Sequence, residues 1–127
     1  MSSNATILIV DDQEALLELS ILNLEPRGHK VLTADSVAKA LSIISKNKVD
    51  LVVTDLRLDD GNGIFLLEEI KNKMTHLDIG VILVTAFSEI SKEEVIKKGA
   101  IDLLKKPINY DLIDNIAKNL KNHSNSL

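Results

Sequence analysis

The sequence contains no cysteine, and only 2% of its residues are aromatic. The absence of cysteine excludes disulfides, thiolate zinc sites and cysteine nucleophiles, and it is compatible with a reducing compartment. The aromatic side chains are those of Phe65, Phe87 and Tyr110. So few aromatics argue against a stacking platform for nucleic-acid bases or sugar rings, which needs several of them.

Long apolar runs and an excess of positive charge are also missing. No run approaches the roughly 20 apolar residues of a membrane span, and the short polar start before the first apolar run lacks the features of a signal peptide. Lys and Arg number 15 against 19 Asp and Glu, a net charge of −4, which does not favour binding to a polyanion. We therefore expect a cytoplasmic protein that binds neither nucleic acid nor a membrane directly.

What remains is the composition of one globular domain. The chain has 127 residues, of which 45% are hydrophobic, and domains of about 100–200 residues are common. With so few aromatics, the core has to be built from Leu, Ile and Val. We expect a single domain over residues 1–127, with an ordered core of about 6–121 and a polar tail over 122–127.

Five short apolar runs alternate with longer segments of helical periodicity. The runs are Thr6–Val10, Lys30–Ala34, Leu51–Thr54, Gly80–Thr85 and Asp102–Lys105. Nearly continuous runs of Leu and β-branched residues are typical of strands buried on both faces. The predicted helices cover Gln13–Leu24, Val37–Ile44 after a Ser36 cap, Ile64–Ile70, a segment opened by the capping box Ser91–Glu94, and a last segment from Leu112 to Leu120.

A βα unit that repeats five times predicts a parallel sheet with helices on both faces and right-handed crossovers. Five units are too few for an eight-stranded barrel. We therefore expect an open, doubly wound (βα)5 α/β fold, flavodoxin-like, with strand order 2-1-3-4-5. In such sheets the functional site lies outside the carboxyl ends of the strands.

Reactive residue types occupy the carboxyl ends of four predicted strands. Asp11 and Asp12 follow the first strand, Asp55 the third, Thr85 ends the fourth, and Lys106 follows the fifth. Carboxylates that are held close together repel each other, and a hard divalent cation with oxygen ligands, such as Mg²⁺, offsets that repulsion. With a lysine nearby, the set suits a dianionic phosphoryl group rather than a hydride or acyl acceptor.

Each of these residues also has an ordinary structural explanation. Asp12 suits a helix cap, Asp55 a turn, Thr85 the interior of a strand and Lys106 a solvated surface. Their joint occurrence at the strand ends favours the functional interpretation over these separate explanations.

For other residues the ordinary explanation is preferred. We expect His29, His76 and His123 to be surface residues, and Phe65 to belong to the core.

The same residues lie in motifs that resemble the receiver domain of two-component response regulators. The resemblance runs from Ile7 to about Leu120. Its motifs are Ile-Leu-Ile-Val-Asp11-Asp12, Leu-Val-Val-Thr-Asp55, Val-Thr85-Ala86, and Gly99-Ala100 leading to Lys106-Pro107. The resemblance implies a metal site in which Asp12 and Asp55 bind Mg²⁺ directly, Asp11 binds it mainly through water, and the backbone carbonyl of Arg57 adds a ligand. Mn²⁺ is expected to be able to substitute.

The resemblance also implies the roles of the remaining residues. Asp55 is the phosphoacceptor, Thr85 contacts the phosphoryl group after transfer, and Lys106 pairs with acceptor and phosphoryl oxygens. The Lys106-Pro107 peptide is expected to be cis. The neighbouring Lys105 is expected to point elsewhere.

A receiver domain implies partners and a switch rather than metabolic turnover. The phosphoryl donor is expected to be a sensor histidine kinase or a histidine phosphotransfer protein, which docks on the first helix and the loop after the fifth strand. Phosphorylation is expected to switch the face formed by the fourth helix, fifth strand and fifth helix. That face is expected to control an output domain or protein. The resemblance is also compatible with a phosphorylation-dependent dimer. The resemblance further implies that the domain catalyses only its own phosphoryl transfer and slow autodephosphorylation.

The sequence departs from the family's usual pattern at several positions. Leu58-Asp59 replaces the frequent Met-Pro, and Leu103 stands where Tyr or Phe is common. The segment from Thr85 to Lys106 is about one residue short, which predicts a shortened or shifted fourth helix. Without the aromatic residue, we expect the switch to be carried by Thr85, Ala86 and the loop of residues 87–90.

Two alternative functions use similar residues. Aspartyl-phosphate hydrolases also combine a strand-end Asp, a hydroxyl, a Lys and Mg²⁺, but they carry a second Asp two residues after the nucleophile. That position is Arg57 here, which cannot act as a general acid or base. The second alternative is a degenerate receiver that works by binding alone, and the complete set of site residues argues against it.

Overall fold

The computed structural model describes residues 4–86 and 90–125, with side chains to residue 122. Strands and helices alternate along the described chain. The strands of the main sheet are β1 (Thr6–Val10), β2 (Lys30–Ala34), β3 (Leu51–Asp55), β4 (Gly80–Thr85) and β5 (Asp102–Lys105). The helices are α1 (Glu14–Leu24), α2 (Val37–Lys46), α3 (Gly63–Lys73), α4 (Lys92–Lys97) and α5 (Tyr110–Asn125). A 3₁₀ turn, Glu25–Arg27, follows α1.

The five strands form one parallel sheet in the order β2-β1-β3-β4-β5, as the sequence predicts. The central strand β3 pairs with β1 on one side, where Val10 lies opposite Thr54. It pairs with β4 on the other side, where Asp55 lies opposite Val84. This register brings the carboxyl ends of the central strands to one edge of the sheet. The limits of the domain beyond the described residues stay a prediction.

Apolar side chains cover both faces of the sheet, because alternate residues of a strand point to opposite sides. On one face, Leu8 and Val10 of β1 pack in a cluster with buried residues of α2, α3 and α4. On the other face, Ile7 and Ile9 pack with buried residues of α1 and α5. The two layers explain why the strands read as continuous hydrophobic runs. No helix of the described chain is long and apolar enough to cross a membrane.

Side-chain caps fix the starts of the three helices that follow β2, β3 and β4. The Ser36 hydroxyl accepts a hydrogen bond from the Lys39 amide at 3.1 Å, as predicted for α2. The Ser91 hydroxyl accepts one from the Glu94 amide at 3.1 Å, as predicted for α4. Asn62 caps α3 in the same way. Helix α4 has 6 residues.

His29 contradicts the sequence prediction, because it is buried rather than exposed. Its Nδ1 accepts a hydrogen bond from the Ala5 amide at 3.0 Å, so its Nε2 carries the proton and donates to Asp114 Oδ1 at 2.6 Å. Asp114 lies 85 residues further along the chain. A turn-like sequence around His29 gave no sign of this long-range partner, which makes burial of the ring favourable.

Phe65 is the second wrong prediction, since its side chain is 47% exposed instead of buried. It lies in the first turn of α3, where Leu66, Leu67 and Ile70 turn into the core in its place. Those three positions form one helical stripe, and Phe65 falls beside it. Hydrophobic character alone did not separate the two sides of this helix. His76 is exposed as predicted, and the side chain of His123 lies outside the described residues.

Candidate functional site

The carboxylates predicted at the strand ends come together in the structure. Asp11 follows β1, Asp55 ends β3, and these strands are neighbours in the sheet. Asp11, Asp12 and Asp55 each offer a carboxylate oxygen such that the three oxygens lie within 4.8 Å of one another. The sheet topology therefore brings Asp55 next to Asp11 and Asp12, although it lies far from them in the sequence.

Lys106 joins two members of this cluster. Its Nζ donates to Asp11 Oδ2 at 2.9 Å and to Asp55 Oδ2 at 2.9 Å. The side chains are 19% exposed for Lys106, 2% for Asp11 and 13% for Asp55, so water screens these charges only weakly. One ammonium group therefore offsets the repulsion between two largely buried carboxylates.

The charge of Lys106 is favoured by its partners. Desolvation by itself would lower the pKa of the Lys106 ammonium, but hydrogen bonds and charge attraction from Asp11 and Asp55 outweigh it. The pKa is therefore raised above its ordinary value, and the group stays protonated at neutral pH. The neighbouring Lys105 is exposed and makes no such contact among the described residues.

Asp11 is held rigidly at the first turn after β1. Its backbone amide donates to the Ala34 carbonyl at 3.1 Å, and its Oδ1 accepts from the Gln13 amide at 2.8 Å. Together with the Lys106 contact, both carboxylate oxygens have partners, which a buried charge requires. Asp11 is thus positioned by the backbone on one side and by the ammonium group on the other.

Asp12 faces solvent beside these two residues. Partial desolvation raises the pKa of its carboxyl group, and three neighbouring carboxylates, led by that of Asp59, raise it further. The charged form of Asp12 is therefore less favourable in the folded protein than in the unfolded chain. Three carboxylates with one exposed face are the donor set that hard divalent cations such as Mg²⁺ take, usually with several waters. The residues present fit a divalent cation.

The backbone after Asp55 forms a short hairpin. Arg57–Leu58 pairs antiparallel with Gly61–Asn62, and α3 begins at the next residue. The Gly63 amide donates to the Leu56 carbonyl at 2.9 Å. A Cβ atom on Gly63 would lie 2.6 Å from the Asp55 carbonyl oxygen, so only glycine fits at this approach. Within the hairpin, the Arg57 amide donates to Asp55 Oδ1 at 3.3 Å.

Thr85 and the segment after β5 complete the edge of the sheet. Thr85 ends β4 and is buried, and its backbone carbonyl accepts from the Lys106 amide at 2.9 Å. The Lys106-Pro107 peptide is cis, as predicted. These contacts hold the start of the Lys106 side chain next to β4, from where it reaches Asp55 on β3.

An apolar groove lies next to the acidic cluster, between α1 and the segment after β5. Leu19 on its α1 side is 52% exposed. The groove is lined by Ala15, Leu16, Leu19, Lys106, Pro107, Ile108 and Tyr110.

Sequence reasoning missed Asp60 as a residue with a specific contact. Its two carboxylate oxygens accept hydrogen bonds from the Val37 and Ala38 amides at the start of α2. The Asp-Asp-Gly sequence of residues 59–61 signals a turn, but nothing in it indicates which helix the turn meets. The contact spans 23 residues of chain and depends on the tertiary fold.

Comparison with known proteins places the chain in one family. A sequence model described as "Response regulator receiver domain" matches residues 7–118. The transcriptional regulatory protein GlrR of Escherichia coli (strain K12) is 36% identical over 110 residues, which are 86% of this chain and 24% of GlrR. The photosynthetic apparatus regulatory protein RegA of Cereibacter sphaeroides is 32% identical over 108 residues, 84% of this chain and 58% of RegA.

Solved structures give the same result. A response regulator receiver domain protein from Clostridium thermocellum superposes with a TM-score of 0.84 at 31% identity, over 94% of this chain and 96% of that one. The beryllofluoride-activated NtrC4 receiver domain dimer superposes with a TM-score of 0.81 at 28% identity, over 91% and 98%. The matched region, the βα topology and the acidic strand-end site agree, and the chain belongs to the response regulator receiver domain family, as a signalling rather than a metabolic protein.

Proposed function

We propose that this chain receives a phosphoryl group on Asp55 in a two-component signalling system of the cytoplasm. The observation that carries the proposal is the Lys106 ammonium group, which lies 2.9 Å from both Asp11 and Asp55 beside a cluster suited to a cation. The donor would be a sensor histidine kinase or a histidine phosphotransfer protein. The response would be read by an output domain or a separate protein, and a phosphorylation-dependent dimer is one form it can take.

Asp55 is the nucleophile in this proposal. A carboxylate oxygen attacks the phosphorus of a phosphohistidine, the P–N bond breaks, and the imidazole leaves as an acyl phosphate forms on Asp55. In-line transfer of this kind needs an aligned nucleophile and neutralisation of charge more than covalent assistance. Lys106 would neutralise charge on the acceptor and phosphoryl oxygens, since it is already fixed at Asp55 Oδ2.

The acidic cluster would hold Mg²⁺, with Asp12 and Asp55 as direct ligands, Asp11 acting mainly through water, and the Arg57 backbone carbonyl as a further ligand. When bound, the cation would supply positive charge to the oxygens of the phosphoryl group. Mn²⁺ would serve in its place. The support for this assignment is the donor chemistry of the cluster, together with the raised pKa of Asp12, to which burial contributes most and the neighbouring carboxylates add.

The switch would start from Thr85, whose hydroxyl would contact the new phosphoryl group. Leu103 is partly buried and packs against the core on the α4 side of the sheet. This packing supports the expectation that β5 contributes less to the switch than Thr85 and the segment after it. The face of α4, β5 and α5 would then carry the change to the output. The loop that we expect to respond begins at Phe87, and residues 87–89 lie outside the described residues.

The partner that donates the phosphoryl group would dock in the groove beside the site. Exposed Leu19 and Ala15 give the groove an apolar wall next to Lys106. A partner that carries its phosphohistidine on a helix would place the apolar residues beside that histidine in the groove, while the phosphoryl group reaches Asp55.

Replacement of the acceptor should abolish labelling. Wild-type protein treated with acetyl phosphate and Mg²⁺ is expected to gain one phosphoryl group in intact-mass spectra, and Asp55→Asn none, because an amide cannot form the acyl phosphate. Asp78→Asn, an exposed change between α3 and β4, serves as the matched control and should label like the wild type. Labelling of Asp55→Asn at the wild-type rate would refute the assignment of the acceptor.

Removal of the Asp12 charge should stabilise the metal-free protein. Asp12→Asn relieves repulsion at the cluster, and we expect a gain of up to about 1 kcal/mol in the free energy of unfolding at neutral pH. Because the fold raises the pKa of Asp12, the unfolded chain loses this proton first as the pH rises. The wild type should therefore lose stability relative to the variant from about pH 4 upward.

Urea unfolding of the wild type and of Asp12→Asn is measured in EDTA and again in excess Mg²⁺. With Mg²⁺ the order should reverse, because the wild type keeps a ligand that the variant lacks. A variant that is less stable than the wild type in EDTA at neutral pH would show that Asp12 carries no excess repulsion. An equal response of both proteins to Mg²⁺ would place the cation elsewhere.

A charge placed in the groove should separate the two kinds of donor. Leu19→Glu is expected to slow transfer from a phosphorylated histidine phosphotransfer protein at least tenfold while acetyl phosphate labelling stays unchanged. Leu77→Glu is the matched control, since Leu77 is 37% exposed and lies outside the groove. If Leu19→Glu lowers both rates equally, the groove has no role in docking.

A further inference from the structure

The hairpin after Asp55 carries two acidic residues at its tip. Arg57 pairs with Asn62 and Leu58 with Gly61, so Asp59 and Asp60 form the tip. At the base of the hairpin, the Arg57 amide donates a hydrogen bond to Asp55 Oδ1 at 3.3 Å. The hairpin therefore connects the proposed metal site with the element that Asp60 contacts, which is α2.

Asp60 contacts the first turn of α2 through both of its carboxylate oxygens. Oδ1 accepts from the Val37 amide at 2.8 Å, and Oδ2 accepts from the Ala38 amide at 3.1 Å. These amides have no partner within the helix, and a carboxylate at a helix start is also stabilised by the helix dipole. The same bonds, that from Val37 first, hold the pKa of Asp60 below its usual value. A Cβ atom on Gly61 would lie 3.4 Å from Val37 Cγ2, so the backbone of the tip is close to α2 as well.

Ser36 caps the same helix by a local route. Its hydroxyl accepts from the Lys39 amide at 3.1 Å, and it makes this bond within its own turn of the chain. The first three amides of α2 are thus shared between one local cap and one cap supplied by the hairpin. A neighbouring residue such as Ser36 is sufficient to cap a helix. Asp60 does more, because it connects the helix to the segment that follows Asp55, the proposed acceptor.

We propose that Asp60 is a positioning residue for phosphoryl transfer to Asp55, because it anchors the tip of the hairpin to α2. The anchor holds the backbone of the hairpin at Arg57, from which the proposed cation takes a carbonyl ligand. The role rests on the proposed function of the site. It makes α2 a support of the metal site, although α2 contributes no ligand.

The test compares Asp60→Ala with Ser36→Ala, since each removes a side-chain cap of α2 and only the first releases the hairpin. Mg²⁺ affinity is measured by titration of the unphosphorylated protein. We expect Asp60→Ala to raise the Kd for Mg²⁺ about tenfold, as changes around metal ligands commonly do. Ser36→Ala should leave the Kd within a factor of about two. Asp60→Asn keeps one acceptor oxygen and should fall between the wild type and Asp60→Ala.

A second readout needs neither metal nor phosphoryl group. In metal-free protein, Asp60→Ala should speed hydrogen exchange of the Gly63 amide, which closes the hairpin on the Leu56 carbonyl. Ser36→Ala should instead speed exchange of the Lys39 amide and leave Gly63 unchanged. If Asp60→Ala does not fold, Asp60→Asn decides by the same two measurements.

The outcomes separate this proposal from the function on which it rests. An unchanged Kd together with unchanged Gly63 exchange in Asp60→Ala would overturn the role of Asp60. Equal effects of Ser36→Ala and Asp60→Ala on the Kd would also overturn it, because the loss of any cap would then suffice. Failure of the wild type to accept a phosphoryl group would contradict the proposed function instead, while the exchange and Mg²⁺ results would still decide on Asp60.

Discussion

The shared ammonium group of Lys106 is the interaction on which the site depends. Asp11 and Asp55 lie together in a poorly hydrated edge of the sheet, and like charges there repel strongly. Lys106 contacts both at 2.9 Å, and each carboxylate also accepts a backbone amide. The two carboxylates are therefore held together by one ammonium group and two backbone amides, and Asp12 lies on the exposed side of the cluster. If Asp55 is the phosphoacceptor, as we propose, a site held in this way has its nucleophile in place before a donor arrives.

The parallel sheet is what makes that interaction available. Asp11 and Asp55 become neighbours because β1 and β3 pair in register, and Lys106 reaches them from β5 across the end of β4. Gly63 allows α3 to start directly against the Asp55 carbonyl, so the helix and strand β3 leave almost no space between them. The hairpin that joins them is short and is anchored at its tip by Asp60. The packing that forms the fold therefore also positions the residues of the site.

Local patterns were sufficient for the strands, the helix caps at Ser36 and Ser91, and the set of residues at the strand ends. They were insufficient where a residue depends on a partner far along the chain. His29 is buried because Asp114 of α5 accepts a hydrogen bond from its Nε2, and Asp60 is fixed because it accepts hydrogen bonds from the first amides of α2. Phe65 shows a third limit, since a helix with more apolar residues than its buried stripe needs does not reveal which one is left outside.

The most direct measurement is an experimental structure of the protein with Mg²⁺ and beryllofluoride bound. If Asp55 is the acceptor, the beryllofluoride group should lie on an Asp55 carboxylate oxygen, with the cation bound by Asp12 and Asp55. The Lys106 ammonium group should contact both Asp55 and a fluoride. A beryllofluoride group on any other side chain, or one on Asp55 that Lys106 does not contact, would contradict the central role given to this pair.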